Sequence, residues 1–382
     1  MTDGMSRRDF VGSVGAGLIA ARIPARESSK PESKTGMRVG LDADKQPSAI
    51  RKQGPIATLD YVKKNGFDGA YFRLMLDLSP KLDPEELKEI KAHADSLGLF
   101  LGAGVGWMNP YNTAERPEIR LFGDGDYRLA IEKMLKAARI IDNTELWAVS
   151  AHSVHGTTSY VAYDRFRTDV SWEDELRAMT KFINSLAPML RDLQLRVNLE
   201  THGDETSFEA LRLIEEIGAD VVGVTLDPGN LPLQGDVPMD ATRRMAPYIN
   251  IVQPKDGIIY RTTEGLCQQI RTVGEGILDW DAAVAELGKY HPNLIFCFES
   301  YRAENLFLWS TAKYRSHYPE MTEADVRQFE QFADDFEQKV KRNEVLGVEE
   351  YRKLPFRDAE RLADYRKAAS HVRSIIKARG LG

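Results

Sequence analysis

Cysteine is nearly absent: Cys267 and Cys297 are the only two in 382 residues, and Cys297 sits inside the apolar run LIFCFES. A chain this long buries enough surface to fold without a disulfide staple, so Cys297 reads as a small core hydrophobe. A basic excess is missing too. The formal charge of −7 gives no electrostatic footprint for nucleic acid, which needs a clustered basic face. No apolar run approaches the ~20 residues required to span a bilayer, so no stable membrane span is expected. Seven histidines scattered along an acidic chain are too few to suggest a multi-zinc hydrolytic cluster. Glycine is lacking from LDADKQPSAIRK, the turn after the first strand-like run, where an open nucleotide-binding sheet often carries its phosphate loop.

What is present begins with an address. SRRDFVGSVGAGLIAARIPA (residues 6–25) combines paired Arg7 and Arg8 with a mild Gly/Ala-rich apolar run, and it resembles a twin-arginine export signal. RESSKPESKTG, polar and aperiodic, reads as a tether. Residues 1–35 are therefore expected to be signal and linker, and the protein periplasmic or in the cell envelope; an unused signal would leave it cytoplasmic.

Beyond the tether, eight short apolar or β-branched runs alternate with segments of helical spacing. The runs are MRVGLDA, DGAYFRL, LFLGAGVG, ELWAVSA, LRVNLE, DVVGVTLD, YINIVQP and LIFCFES. Helix starts are marked at Asp83-Pro84, Ser171 and Thr206-Ser207. Strands apolar on both faces and alternating with helices predict an α/β fold, a (β/α)8 TIM barrel over residues 36–303. Residues 304–382 turn to long, charged, amphipathic segments, a C-terminal helical extension that closes the barrel and reaches beyond it. This region offers either packing or a homo-oligomer contact.

In a TIM barrel the active site lies at the C-terminal ends of the strands. Acids recur there: NLETHGD ends with Glu200, VTLDPGN with Asp227, IVQPKD with Gln253, Lys255 and Asp256, and FCFES with Glu299. One acid at a strand end caps a helix as readily as it does chemistry. Four in succession are harder to explain so, because converging carboxylates repel unless they share a cation or a proton. A divalent metal is the simplest resolution.

These residues, with DPGN (227–230), KD (255–256) and VGEGILDW (273–280), resemble the xylose-isomerase-like barrels, in particular the sugar isomerases and epimerases typified by tagatose and psicose 3-epimerases. The resemblance implies a metal set of Glu200, Asp227, Gln253 and Glu299, with Glu200 and Glu299 also exchanging the proton. Gln253 departs from the histidine usual in that family. An all-oxygen shell favours Mn2+, with Mg2+, Ca2+ or Co2+ as alternatives; the lesser alternative is that Gln253 marks a weakened or abandoned site. Expected sugar contacts are His202, Asn230, Lys255, Arg261, His152 (with His155), Trp107 and Arg73.

The implied activity is a metal-dependent sugar isomerase or epimerase working through an enediolate on a small-molecule sugar. Two alternatives stay open: β-elimination of a 3-keto glycoside in the cell envelope, and a non-catalytic sugar-binding barrel.

Overall fold

The computed structural model describes residues 36–111, 116–150, 164–166, 169–299 and 302–382. His152 and His155, and the export signal, lie outside the described residues. Residues 36–382 form one compact unit.

Strands and helices alternate as the apolar runs predict. The first half runs β1 (Arg38–Asp42), α1 (Pro55–Lys64), β2 (Gly69–Phe72), α2 (Pro84–Ser96), β3 (Phe100–Ala103), β4 (Gly106–Trp107), α3 (Tyr127–Ile140), β5 (Glu145–Val149) and α4 (Trp172–Asp192). The second half runs β6 (Arg196–Glu200), α5 (Ser207–Ile217), β7 (Val222–Leu226), α6 (Pro238–Met245), β8 (Ile249–Val252), β9 (Asp256–Arg261), β10 (Leu266–Arg271), α7 (Trp280–Gly288), β11 (Ile295–Phe298), β12 (Glu304–Leu306), α8 (Glu323–Lys341) and α9 (Asp358–Ala378). Helix starts fall at the marked residues. Asp83 accepts from two backbone N–H groups of α2, Ser171 caps α4, and Thr206 forms a capping box with Glu209 on α5.

Nine parallel segments follow the order β3-β2-β1-β11-β8-β7-β6-β5-β4. β3 and β4 are two halves of one barrel strand, β3 paired with β2 and β4 with β5, so the chain closes the ring through Gly104 and Val105. A Cβ at Gly104 would strike the carbonyl oxygens of Arg73 and Trp147, which is why a glycine stands at the break. The Tyr71 hydroxyl stitches across it: it accepts from the Trp147 N–H at 2.7 Å and lies 2.8 Å from the Glu145 carbonyl.

Because helices cover the outside and side chains fill the inside, the strands bury both faces. Leu41, Ala70, Val197, Val222 and Phe296 are all at 0% exposure. Each large one contributes about 1.5–3 kcal/mol by leaving water.

The last helix completes the ring. On α9, Arg373 reaches Asp68 and the Gly66 carbonyl beyond α1, while Arg379, just past its end, pairs with Asp281 on α7. Its Tyr365, Ala368, Val372 and Ile376 join the main core.

The long connection between β8 and β11 holds what the periodicity did not reveal. β9 and β10 form an antiparallel hairpin, with β12 added to its edge. A second apolar cluster, including Ile259, Phe307, Trp309 and Phe329, seats α8 on this hairpin.

Candidate active site

Glu200 closes β6, Asp227 follows β7 and Glu299 follows β11, and all three are buried. Parallel strands with the same sense deliver their final residues to one end of the barrel, so the three side chains converge.

Their partners are nitrogen donors. Lys255 sends its ammonium between Asp227 and Glu299, 3.0 Å from Glu299 Oε1 and in direct contact with Asp227 Oδ2. Asp227 Oδ2 also accepts from Asn230 Nδ2 at 2.9 Å, and Oδ1 accepts from the Gly229 N–H at 3.1 Å. Glu299 Oε2 accepts from Arg73 at 2.5 Å, with Lys45 at 3.8 Å. Glu200 Oε2 accepts from Trp147 Nε1 at 2.6 Å. The Gln253 amide nitrogen lies 3.2 Å from both Glu200 oxygens in the orientation its neighbours require.

Burial would raise the Glu299 carboxyl, but Lys255, Arg73 and Lys45 outweigh it and hold Glu299 well below the usual carboxylate range. Asp227 is pushed up to about 7 by burial and by its neighbours Glu200 and Glu299, against the pull of Lys255. Burial pulls the His202 ring down, yet Asp204 and Glu200 more than compensate and bring it up to about 9. His202 is therefore cationic at neutral pH.

Above these groups lies a cavity of 290 Å³ lined by Lys45, Arg73, Trp107, Arg116, Trp147 and His202 among others. Trp107 and Trp147 stand edge to face at 6.1 Å, and the Arg116 guanidinium lies 3.6 Å above the Trp107 ring. An apolar face flanked by cations suits a sugar ring carrying oxygen at its edge.

Of the expected contacts, Arg73, Trp107 and His202 line the cavity, and Lys255 lies among the acids. Asn230 is committed to Asp227 and Lys255. Arg261 is elsewhere: at the outer end of β9 it pairs with Asp334 and Glu337 on α8. The segment after β8 is a hairpin strand that turns away from the barrel mouth, so Arg261, expected as a sugar contact, is corrected to a surface ion pair.

Asp256, next to Lys255, is structural. Its carboxylate accepts from the N–H groups of Gly257 (2.9 Å), Gly274 (3.1 Å) and Gly276 (3.3 Å) and from Trp280 Nε1 (3.0 Å). The VGEGILDW turn is thus wrapped around one acid, and a Cβ at Gly276 would collide with it.

Sequence reasoning missed Asp42, Lys45, Trp147 and Arg116. Asp42 is buried at the end of β1 and pushed up to about 7 by burial, against Arg73. Its signal was available, since RVGLD ends in an acid like the later strands. Trp147 carried none, because an inward-facing core tryptophan and a site tryptophan look alike in a strand.

The four residues expected to ligate a metal converge, but their lone pairs do not face a common centre. Among the described residues, no three His, Cys, Asp or Glu side chains are arranged to hold a metal ion. Gln253 presents its amide N–H to Glu200, and an ammonium occupies the gap between Asp227 and Glu299. This donor set does not fit a divalent ion.

Fold and site together define the class: residues 59–316 match the xylose isomerase-like TIM barrel family, and the chain belongs to it. Among curated proteins it is similar to the uncharacterized protein YihM of Escherichia coli K12, 24% identical over 204 residues. That match covers 53% of this chain and 62% of YihM, so the chain spans less than two thirds of that relative. Among solved structures, an L-ribulose 3-epimerase superposes with a TM-score of 0.53 at 14% identity, covering 90% of this chain and 95% of that one. A D-psicose 3-epimerase gives 0.51 at 18%, covering 78% and 99%. The E. coli 3-keto-D-glucoside 4-epimerase YcjR gives 0.50 at 17%, covering 75% and 98%. At these identities the structures establish the shared barrel. Among the described residues no helix is long and apolar enough to cross a membrane.

Proposed function

We propose that the protein is a sugar isomerase or epimerase that removes a proton from carbon next to a carbonyl and returns it through an enediolate. The observation that carries this reading is the pair Glu200 and Glu299. They arrive from β6 and β11 beside one buried cation network, beneath a cavity with two indole rings.

The chemistry follows from the environments. Glu299, held ionised by its cations, is available to accept a carbon-bound proton. Lys255, Arg73 and cationic His202 supply fixed positive charge toward the oxygen on which the enediolate's charge develops. Glu200, hydrogen-bonded by Trp147, is the second proton-exchanging group. Trp107 and Trp147 orient the ring. The Mn2+ implied by the family resemblance enters no step here, because the ligand set faces donors.

The activities of the neighbouring structures point to two substrate classes, ketoses and 3-keto-glucosides. The signal-like segment at residues 6–25 supports export and hence a substrate met in the cell envelope, which favours the 3-keto glycosides. With such a glycoside, the same proton abstraction can end in β-elimination.

Incubation of the purified protein with ketoses and 3-keto-glucosides in D2O tests the reading. Deuterium uptake at the carbon beside the carbonyl is expected. Release of the aglycone selects elimination over epimerisation. Saturable sugar binding with no exchange would reassign the barrel as a binding protein.

A further inference from the structure

We infer that Lys255 is the resident cation of this site, standing in the place of the divalent ion that the carboxylate arrangement otherwise demands.

Three buried carboxylates share a dry space only where positive charge or a shared proton relieves their repulsion, and here Lys255 and Arg73 supply the positive charge. Here all the oxygens of Glu200, Asp227 and Glu299 already have N–H partners. Asp227 Oδ1 faces the Gly229 amide, and its Oδ2 faces Lys255 and Asn230. Glu299 Oε1 faces Lys255 and its Oε2 faces Arg73. Trp147 donates to Glu200 Oε2, and the Gln253 amide nitrogen serves both Glu200 oxygens. A metal ion needs lone pairs aimed at one centre, and here they are aimed at nitrogen.

Gln253 and Lys255 act on neighbouring members of the acid group. A histidine at position 253 would offer a lone pair to a metal, whereas glutamine offers an N–H to Glu200. The ammonium of Lys255, two positions on, lies between Asp227 and Glu299. Lys255 is held there on every side. Its side chain is 3% exposed, Asn230 Oδ1 accepts from it at 3.2 Å, and its methylenes pack against Gly229, where a Cβ would overlap them. Asn230 is itself fixed by Asp227, so the whole cradle is built around the ammonium.

The inference is independent of the sugar reading, because its test needs no substrate. The full chain is stripped with EDTA, dialysed against Mn2+ or Mg2+, and examined by elemental analysis and thermal melting. The wild-type protein is expected to retain no stoichiometric metal and to melt at the same temperature in EDTA and in millimolar Mn2+. Lys255→Met removes the charge but keeps the stem. It is expected to melt lower, and to recover part of that loss as Mn2+ is raised, because binding to the folded state alone stabilises it. If that variant does not fold, Lys255→Met combined with Asp227→Asn removes both charges, and it is expected to fold without responding to Mn2+. One equivalent of metal retained by the wild-type protein, with a lower melting temperature in EDTA, would overturn the inference. So would a Lys255→Met protein that melts like wild type and ignores Mn2+.

Discussion

Two groups of buried carboxylates in the second half of the barrel are held in opposite ways. Glu200, Asp227 and Glu299 share donors, with one ammonium touching two of them and one guanidinium reaching both Glu299 and Asp42. Around the start of α5, by contrast, each acid owns its partners. Glu209 takes Arg165 at 2.5 Å, the Thr206 N–H at 2.8 Å and Trp172 Nε1 at 3.2 Å. Asp236 takes the Ser207 N–H at 2.7 Å, its hydroxyl at 2.6 Å and Arg244 at 3.2 Å. Privately satisfied acids fix a helix start, whereas acids that share cations leave charge that a reacting group can reorganise. Burial alone does not separate the two, since both groups are almost fully enclosed.

The sharpest way to break this contrast is to neutralise one member of each group. Glu299→Gln is expected to lower the deuterium exchange rate by about 10²–10⁴-fold, with the folded state retained by circular dichroism. Full exchange in that variant would remove Glu299 from the chemistry. In the private group, Arg165→Met leaves Glu209 buried without its guanidinium and is expected to cost about 3–5 kcal/mol in urea unfolding. A loss under 1 kcal/mol there would show that Glu209 is not held as described.

Glu205 sharpens the comparison through pH. Burial, then neighbouring Asp204, pushes its carboxyl from the ordinary 4.5 up to about 8, against a hydrogen bond from Ser150. The folded protein keeps this proton over a range where the unfolded chain has released it, so stability falls as pH rises from about 4.5 to 8. Glu205→Gln is expected to be stabilising by about 2 kcal/mol above pH 8 and neutral near pH 4.5. An unchanged slope of stability with pH would refute this.

The smallest effect is expected at Arg261. Its ion pairs with Asp334 and Glu337 are half exposed, so Arg261→Ala is expected to change stability by less than about 1 kcal/mol and leave KM unaltered. A raised KM would return Arg261 to the substrate.

The strands and helix starts were readable because they depend on local chemistry. An apolar run flanked by Asp-Pro or Thr-Ser is a strand or a helix start almost regardless of context, and the eight runs became the barrel's strands. The acids of the site were readable for a related reason, since a strand end is a fixed place in a barrel. Roles were not. IVQPKD puts Gln253, Lys255 and Asp256 in one short stretch; Lys255 joins the acids, while Asp256 is wrapped by a glycine turn some twenty residues later. The hairpin that carried Arg261 outward hid in a connection whose apolar residues face a helix from the far end of the chain.

The sequence by itself determined the alternation of strand and helix, the closed parallel barrel it builds, and which residues reach its mouth, because periodicity and strand ends are properties of neighbouring residues. The tertiary structure alone decided which acids share a cation, that Lys255 supplies one, and that the connection after β8 folds as a hairpin carrying Arg261 outward. Those depend on which side chains meet across the barrel, and electrostatic pairing between residues tens to hundreds of positions apart leaves no local trace.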